Sequence, residues 1–150
     1  MLEEQAYEYL LAAYIMEVQL RYRRFIYNGF VEEQLKQVAN CLTANTAKFG
    51  IVLCGGCGNG KTTMLKALQN LVRRLEILKP NLSPNAGHSS DNYYSFTIVN
   101  AMQIVQIRKT DYNKFCKLAE ADILGIDDIG TEPAEVQDLS LIHIWRCRRI

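Results

Sequence analysis

The sequence predicts an α/β fold: a parallel sheet flanked by helices, preceded by an N-terminal helical hairpin and incomplete at its carboxyl end. Three observations carry that expectation. Short apolar runs of strand length alternate with stretches of helical period. A glycine-rich segment, Gly55-Gly-Cys-Gly-Asn-Gly-Lys-Thr62, joins one such run to one such stretch. A second apolar run ends in two acids, Asp127 and Asp128. Strands that alternate with helices must return in the same direction, which gives a parallel sheet covered on both faces.

Along the chain, residues 2 to about 27 read as a long helix, with Tyr7, Leu10, Leu11, Tyr14, Ile15 and Val18 at three- and four-residue spacing. Asn28-Gly29 breaks it. Residues 31 to about 43 read as a second helix, with Val31, Leu35, Val38, Ala39 and Leu42 on one stripe. Phe49 to Cys54 reads as the first strand. Thr63 to Lys79 follows as a helix with Met64, Leu65, Leu68, Leu71, Val72, Leu75 and Leu78 inward, stopped by Pro80. Residues 80–92 have the composition of an exposed loop, in which His88 has no partner motif and reads as solvated. Tyr93 to Val99 reads as a second strand. Asn100 is placed to cap a helix from Ala101 to about Lys109. Asp111 to Ala119 reads as another helix, with Tyr112, Phe115 and Leu118 on its apolar side, and Ile123 to Ile126 as the strand that ends in the acids.

The spacing of the glycine segment is G-x-x-x-x-G-K-T, that of a phosphate-binding P-loop, and its strand–loop–helix context is the one such a loop requires. Backbone N–H groups must converge on phosphate oxygens, and a Cβ would crowd that approach. Gly55, Gly56, Gly58 and Gly60 remove the obstruction and permit positive φ. A helix starting near Lys61 points its dipole and N–H groups at the anion. The Lys61 ammonium would reach the β- and γ-phosphates, and the Thr62 hydroxyl would ligate Mg²⁺. The candidate nucleotide-binding residues are therefore Gly55, Gly56, Cys57, Gly58, Asn59, Gly60, Lys61, Thr62 and Thr63. The plainer alternative is a glycine-rich turn before an ordinary helix. Cys54 and Cys57 form a C-x-x-C, but inside a loop whose intervening glycines are needed for something else, so a redox role is the weaker reading.

In a parallel sheet, ligands gather at the carboxyl ends of strands. An acidic strand end downstream of a P-loop is the expected partner of that loop. Asp127 would serve the metal, and Asp128 would orient or deprotonate the attacking water.

Composition bounds the rest. An apolar content of 49% is enough for a core, and no run of about 18 apolar residues is present to cross a membrane. There is no basic-then-apolar leader. Five scattered cysteines argue for reduced thiols and a cytoplasmic protein. The last twelve residues, Leu139 to Ile150, fit nothing before them and resemble a translated transposase-type sequencing adapter, with a stop codon read as Trp145. The expectation is that they are a scar and that the natural sequence is cut off near Asp138; the alternative is a genuine basic terminal element. Without this tail's three arginines the net charge moves from +1 to −2. The expected organisation is a helical region over 1–45, a partial nucleotide-binding core over 46–138 and the scar over 139–150.

Gly55 to Thr63 (GGCGNGKTT) and Leu124 to Glu135 (LGIDDIGTEPAE) resemble the AAA+ P-loop ATPases of the helicase-loader and transposition-helper, DnaC/IstB-like, type. The first stretch matches the motif called Walker A, the second Walker B. The resemblance spans roughly 48 to 138. It implies ATP and Mg²⁺ as cofactors, ATP-dependent self-assembly into a homo-oligomer, and action on DNA or on a replicative helicase or transposase. It also implies an N-terminal region that engages the partner protein. Two departures matter. Many relatives carry Glu where this chain has Asp128, which shortens the reach by one methylene and predicts slow hydrolysis. The sensor residue and arginine finger of the family would lie beyond Asp138. Arg146, Arg148 and Arg149 are not assigned that role, and the chain as it stands is expected to bind nucleotide weakly without completing a hydrolytic cycle.

A different class of function is an ATP-dependent switch that recruits a partner through its N-terminal helices with little turnover. A small-molecule kinase would want an arginine-rich lid, and none is visible before the tail. Arg21-Tyr-Arg-Arg-Phe25 interleaves basic and aromatic residues, a pattern able to hold single-stranded nucleic acid. The preferred expectation there is a solvated arginine face with Tyr22 and Phe25 packed inward.

Overall fold

A computed structural model of the chain describes residues 2–44, 50–56, 58–80 and 90–130. They form an α/β structure with five α-helices and one two-stranded parallel sheet. The chain divides into two compact units, the first running through Arg74 and the second beginning at Leu75.

In the first unit, α1 spans Glu3–Leu20 and α2 spans Gly29–Thr43, and the two pack together. Helix α1 buries Ala6, Leu10, Ala13 and Tyr14, and α2 buries Leu35, Val38 and Ala39. Leu10, Tyr14, Leu35, Val38 and Ala39 were expected on these faces. Leu42 is exposed instead, in the last turn of α2. The first helix ends seven residues before the expected boundary. The N–H of Tyr22 bonds to the carbonyl of Gln19 (2.9 Å) and that of Arg23 to Val18 (3.3 Å), a Schellman closure. That closure needs a left-handed residue after the cap. Tyr22 takes the position with φ +54°, a conformation that costs an ordinary L-residue roughly 1–2 kcal/mol. Asn28 then acts as more than a breaker: its side-chain oxygen accepts the Val31 N–H (2.9 Å) and starts α2 two residues early.

Residues 50–54, expected to be strand, form none, and Phe49 lies outside the described residues. A strand exists through its ladder. Gly50 to Cys54 has no ladder partner among the described residues, and Val52 is 70% exposed.

Helix α3 spans Lys61–Leu75 and buries Thr63, Met64, Ala67, Leu68 and Leu71. It stops at Glu76, which has φ +42°, well short of Pro80. The apolar period continues past that point, but tertiary pairing takes the backbone: Tyr94 N–H bonds to Ile77 O and Lys79 N–H to Asn92 O, both at 2.9 Å, around a Leu78–Tyr93 antiparallel bridge. Leu78 is consequently exposed rather than inward. The expected loop over 80–92 lies mostly outside the described residues, His88 included; Ser90–Asn92 forms one 3₁₀ turn.

The second unit holds β1 (Phe96–Asn100), α4 (Ala101–Thr110), α5 (Tyr112–Ala119) and β2 (Ile123–Asp127). The strands pair in parallel from Phe96 opposite Ile123 to Asn100 opposite Asp127. Parallel pairing requires a crossover, and α4 and α5 supply it. Helix α4 packs on β1 and on α5, burying Ala101, Ile104 and Val105. Asp111 closes α4 and opens α5, its carboxylate accepting the Lys114 N–H (3.0 Å). No side chain of α5 is fully buried, and Tyr112, expected on its apolar side, is exposed and stacked on Phe115.

Asp122 anchors the amino ends of both strands. One carboxylate oxygen accepts the Ser95 N–H (3.0 Å) and hydroxyl (2.9 Å) and pairs with Lys79 (3.0 Å). The Ser95 N–H bond first, then Lys79, holds this carboxyl below its ordinary value of 3.8. A carboxyl depressed in the folded state stabilises the fold above its unfolded pKa, and that contribution is lost as pH falls through the folded value. Asp122→Asn is therefore expected to cost about 1.5–3 kcal/mol at neutral pH, the range of a hydrogen bond to a charged group. Urea unfolding across a pH series checks it: the gap between variant and wild type should close below the ordinary carboxylate range. A gap constant down to strong acid would remove the assignment.

Candidate functional site

The glycine segment is an irregular turn that ends as the cap of α3. Asn59 N–H reaches back to Gly56 O (3.4 Å), and the first helical bond runs from Met64 N–H to Gly60 O (2.8 Å). The N–H groups of Lys61, Thr62 and Thr63 thus precede the first i→i−4 bond of the helix, where a helix presents its positive end. Two positions require glycine. Gly58 stands at φ +83° and Gly60 at φ +77°. At Gly60 there is also no room: an added Cβ would collide with the Tyr14 hydroxyl. Gly55, at φ +152°, lies against the Asn59 amide, 3.3 Å from where a Cβ would sit.

Lys61 is folded back along the turn. Its ammonium donates to the carbonyls of Gly55 and Gly56, both at 2.8 Å. Those bonds gather the turn around a cation. Thr62 is half-buried and Thr63 buried; Cys57 lies outside the described residues. A cleft of about 110 Å³ borders this turn, lined by Asn59, Gly60, Lys61 and Met64 on one side and by Gln34, Gln37 and Val38 of α2 on the other. Tyr14, Gln34 and Gln37 were not legible as neighbours of the turn. In sequence Tyr14 is one apolar position of α1, and the glutamines are surface positions of α2. Burial pushes the Tyr14 phenol up, opposed by Arg21, so a neutral hydroxyl faces Gly60. Behind it the Asn70 amide of α3 donates to the buried Glu17 carboxylate of α1.

In the second unit a polar group of three forms where both strands end. Register sets Asn100 opposite Asp127. The Asn100 amide donates to the Asp128 carboxylate (2.8 Å), while its own oxygen accepts the Met102 N–H (2.9 Å) and caps α4. The Asp128 N–H bonds to the Asp127 carboxylate (3.1 Å), and Asp128 holds φ +54°, a left-handed position that Asp tolerates better than most residues. Asn100 was expected as a cap, and its link to Asp128 was not; a strand-end amide in the neighbouring strand is the signal that could have found it. Among the described residues no three or more His, Cys, Asp and Glu side chains cluster as a metal centre.

The structure therefore assembles Gly55, Gly56, Gly58, Asn59, Gly60 and Lys61 around one turn and Asp127, Asp128 and Asn100 as one strand-end group. No protein-family model, no curated protein and no solved structure matches the chain. No helix among the described residues is long and apolar enough to cross a membrane.

Proposed function

We propose that this chain binds ATP through residues 55–63. The observation that carries the reading is the turn itself: glycines at positive φ lead into the first turn of α3, with the Lys61 ammonium held 2.8 Å from two of the turn's carbonyls. Backbone N–H groups at a helix start and a lysine that can exchange carbonyl oxygens for phosphate oxygens are the chemistry a triphosphate needs. Gly55, Gly56, Gly58, Asn59 and Gly60 are assigned to the phosphates with Lys61, Thr62 and Thr63, and Cys57 by its place in the spacing. Thr62 and Asp127 are assigned to Mg²⁺ from the sequence pattern, the ion neutralising phosphate charge when bound. Asp128 is assigned to the water. The wider task rests on the resemblance alone: a cytoplasmic AAA+ ATPase that self-assembles and helps load a replicative helicase or assists a transposase on DNA.

A second reading is a switch that binds ATP with little turnover. The Asn100–Asp128 hydrogen bond favours it, because one oxygen of the short Asp128 side chain is already engaged. Binding of a fluorescent ATP analogue tests both readings, and its failure would remove both. Asp128→Asn separates them. On the enzyme reading, measured in a version of the protein that carries the family's sensor residue and arginine finger, it leaves binding intact and lowers turnover by about 10²–10⁴, the scale of a lost general base. Binding by the wild type without turnover, even with DNA and a helicase present, leaves the switch.

A further inference from the structure

The segment between α1 and α2 departs from the expected solvated arginine face with both aromatics inward. Phe25 does pack, edge-on to Tyr14 (6.1 Å between ring centroids) and to Tyr27 (6.3 Å). Tyr22 does not: it is fully exposed, at 101%. It sits at the left-handed position that closes α1, where glycine would be the relaxed choice. Arg21, Arg23 and Arg24 beside it are all exposed and form no ion pair among the described residues. No acid lies between Glu17 and Glu32, and Glu17 is buried against Asn70. Tyr22 borders a cleft of about 270 Å³ that is also lined by Met16, Gln19 and Leu20.

We infer that this tip is a docking site for single-stranded nucleic acid, with one base stacked on Tyr22 over the Met16–Leu20 cleft and the phosphates paired with Arg21, Arg23 and Arg24. Two features select that partner. Three exposed guanidinium groups with no ion pair among the described residues and no acid between them complement a polyanion. An aromatic side chain held out in solvent beside a cleft lined by Met16 and Leu20 complements a base that is free to leave its stack, which a duplex does not offer. An acidic peptide would satisfy the arginines and leave the ring unused. The inference does not depend on ATP binding, and it is measured without nucleotide.

The test is fluorescence anisotropy with labelled oligothymidylate and oligouridylate, which separate DNA from RNA, against a duplex and polyglutamate. Tyr22→Phe is expected to bind as wild type. Tyr22→Gly and Tyr22→Ala are expected to weaken binding about tenfold, the scale of one lost stacking contact. Tyr22→Gly keeps the result interpretable, because it relieves the left-handed strain and should raise the unfolding midpoint while affinity falls. Replacing all three arginines with glutamine should flatten the salt dependence by about two in log–log slope, at about 0.7 per phosphate contact. Three results would each overturn the proposal: no binding to either oligonucleotide, Tyr22→Gly binding as wild type, or polyglutamate or duplex binding with the same dependence on Tyr22.

Discussion

Lys61→Ala is expected to weaken binding of the fluorescent ATP analogue by about a hundredfold. A charge-assisted hydrogen bond contributes about 1.5–3 kcal/mol, and each 1.4 kcal/mol is tenfold in affinity. The side chain has two competing uses. It now donates to the carbonyls of Gly55 and Gly56. On the proposed reading it gives up part of that pairing for phosphate oxygens of full negative charge, which is the stronger partner. Alanine removes both uses, so the variant should also show a modestly lower unfolding midpoint without nucleotide. Lys61→Arg keeps the charge but replaces a compact ammonium with a planar fork on a longer stem. It should fall between the two. Equal binding by Lys61→Ala and wild type would sink the assignment of residues 55–63, whatever the stability of the variants.

Gly60→Ala is expected to cost roughly 2–5 kcal/mol of stability in the first unit. Two terms combine. A left-handed φ of +77° costs an L-residue roughly 1–2 kcal/mol. The new Cβ also meets the Tyr14 hydroxyl, and forcing an extra carbon into a filled site costs typically 1–3 kcal/mol. Gly58→Ala supplies the control. Its φ is +83°, but nothing lies within 4 Å of its added Cβ, so it carries the conformational term alone. Tyr14→Phe removes the hydroxyl and should recover part of the Gly60→Ala loss in a double-mutant cycle, since contacting residues couple. Chemical denaturation of the four variants measures this. If Gly60→Ala and Gly58→Ala cost the same, Tyr14 is not packed on the turn as described.

Much of the local structure was legible because it is decided within a few residues. Asn100 and Asp111 announce helix starts by carrying an oxygen that reaches the next turn's N–H groups. The β-strand ending at Asp127 shows as an apolar run closed by charge. The glycine spacing before Lys61 marks a turn that side chains would block. The burial of Leu10, Leu35, Met64 and Leu68 follows from helical period alone.

What failed to show in the sequence depends on partners distant along the chain. Gly50 to Cys54 has the composition of a buried strand, yet composition cannot supply a ladder. The helix that the period carries to Lys79 ends at Leu75 because residues 92–94 take the backbone bonds of Ile77 and Lys79. Tyr22 and Phe25 are equivalent letters in a basic–aromatic cluster. Only the Schellman closure of α1 turns one out to solvent and leaves the other between two tyrosines. The sequence by itself determined the Asn100 cap, most of each helical face, the glycine turn and the acidic strand end, since each is written in neighbouring residues. The tertiary structure alone decided that Tyr14 closes over Gly60 and that Asn100 holds Asp128, because contacts across many residues are set by packing and register.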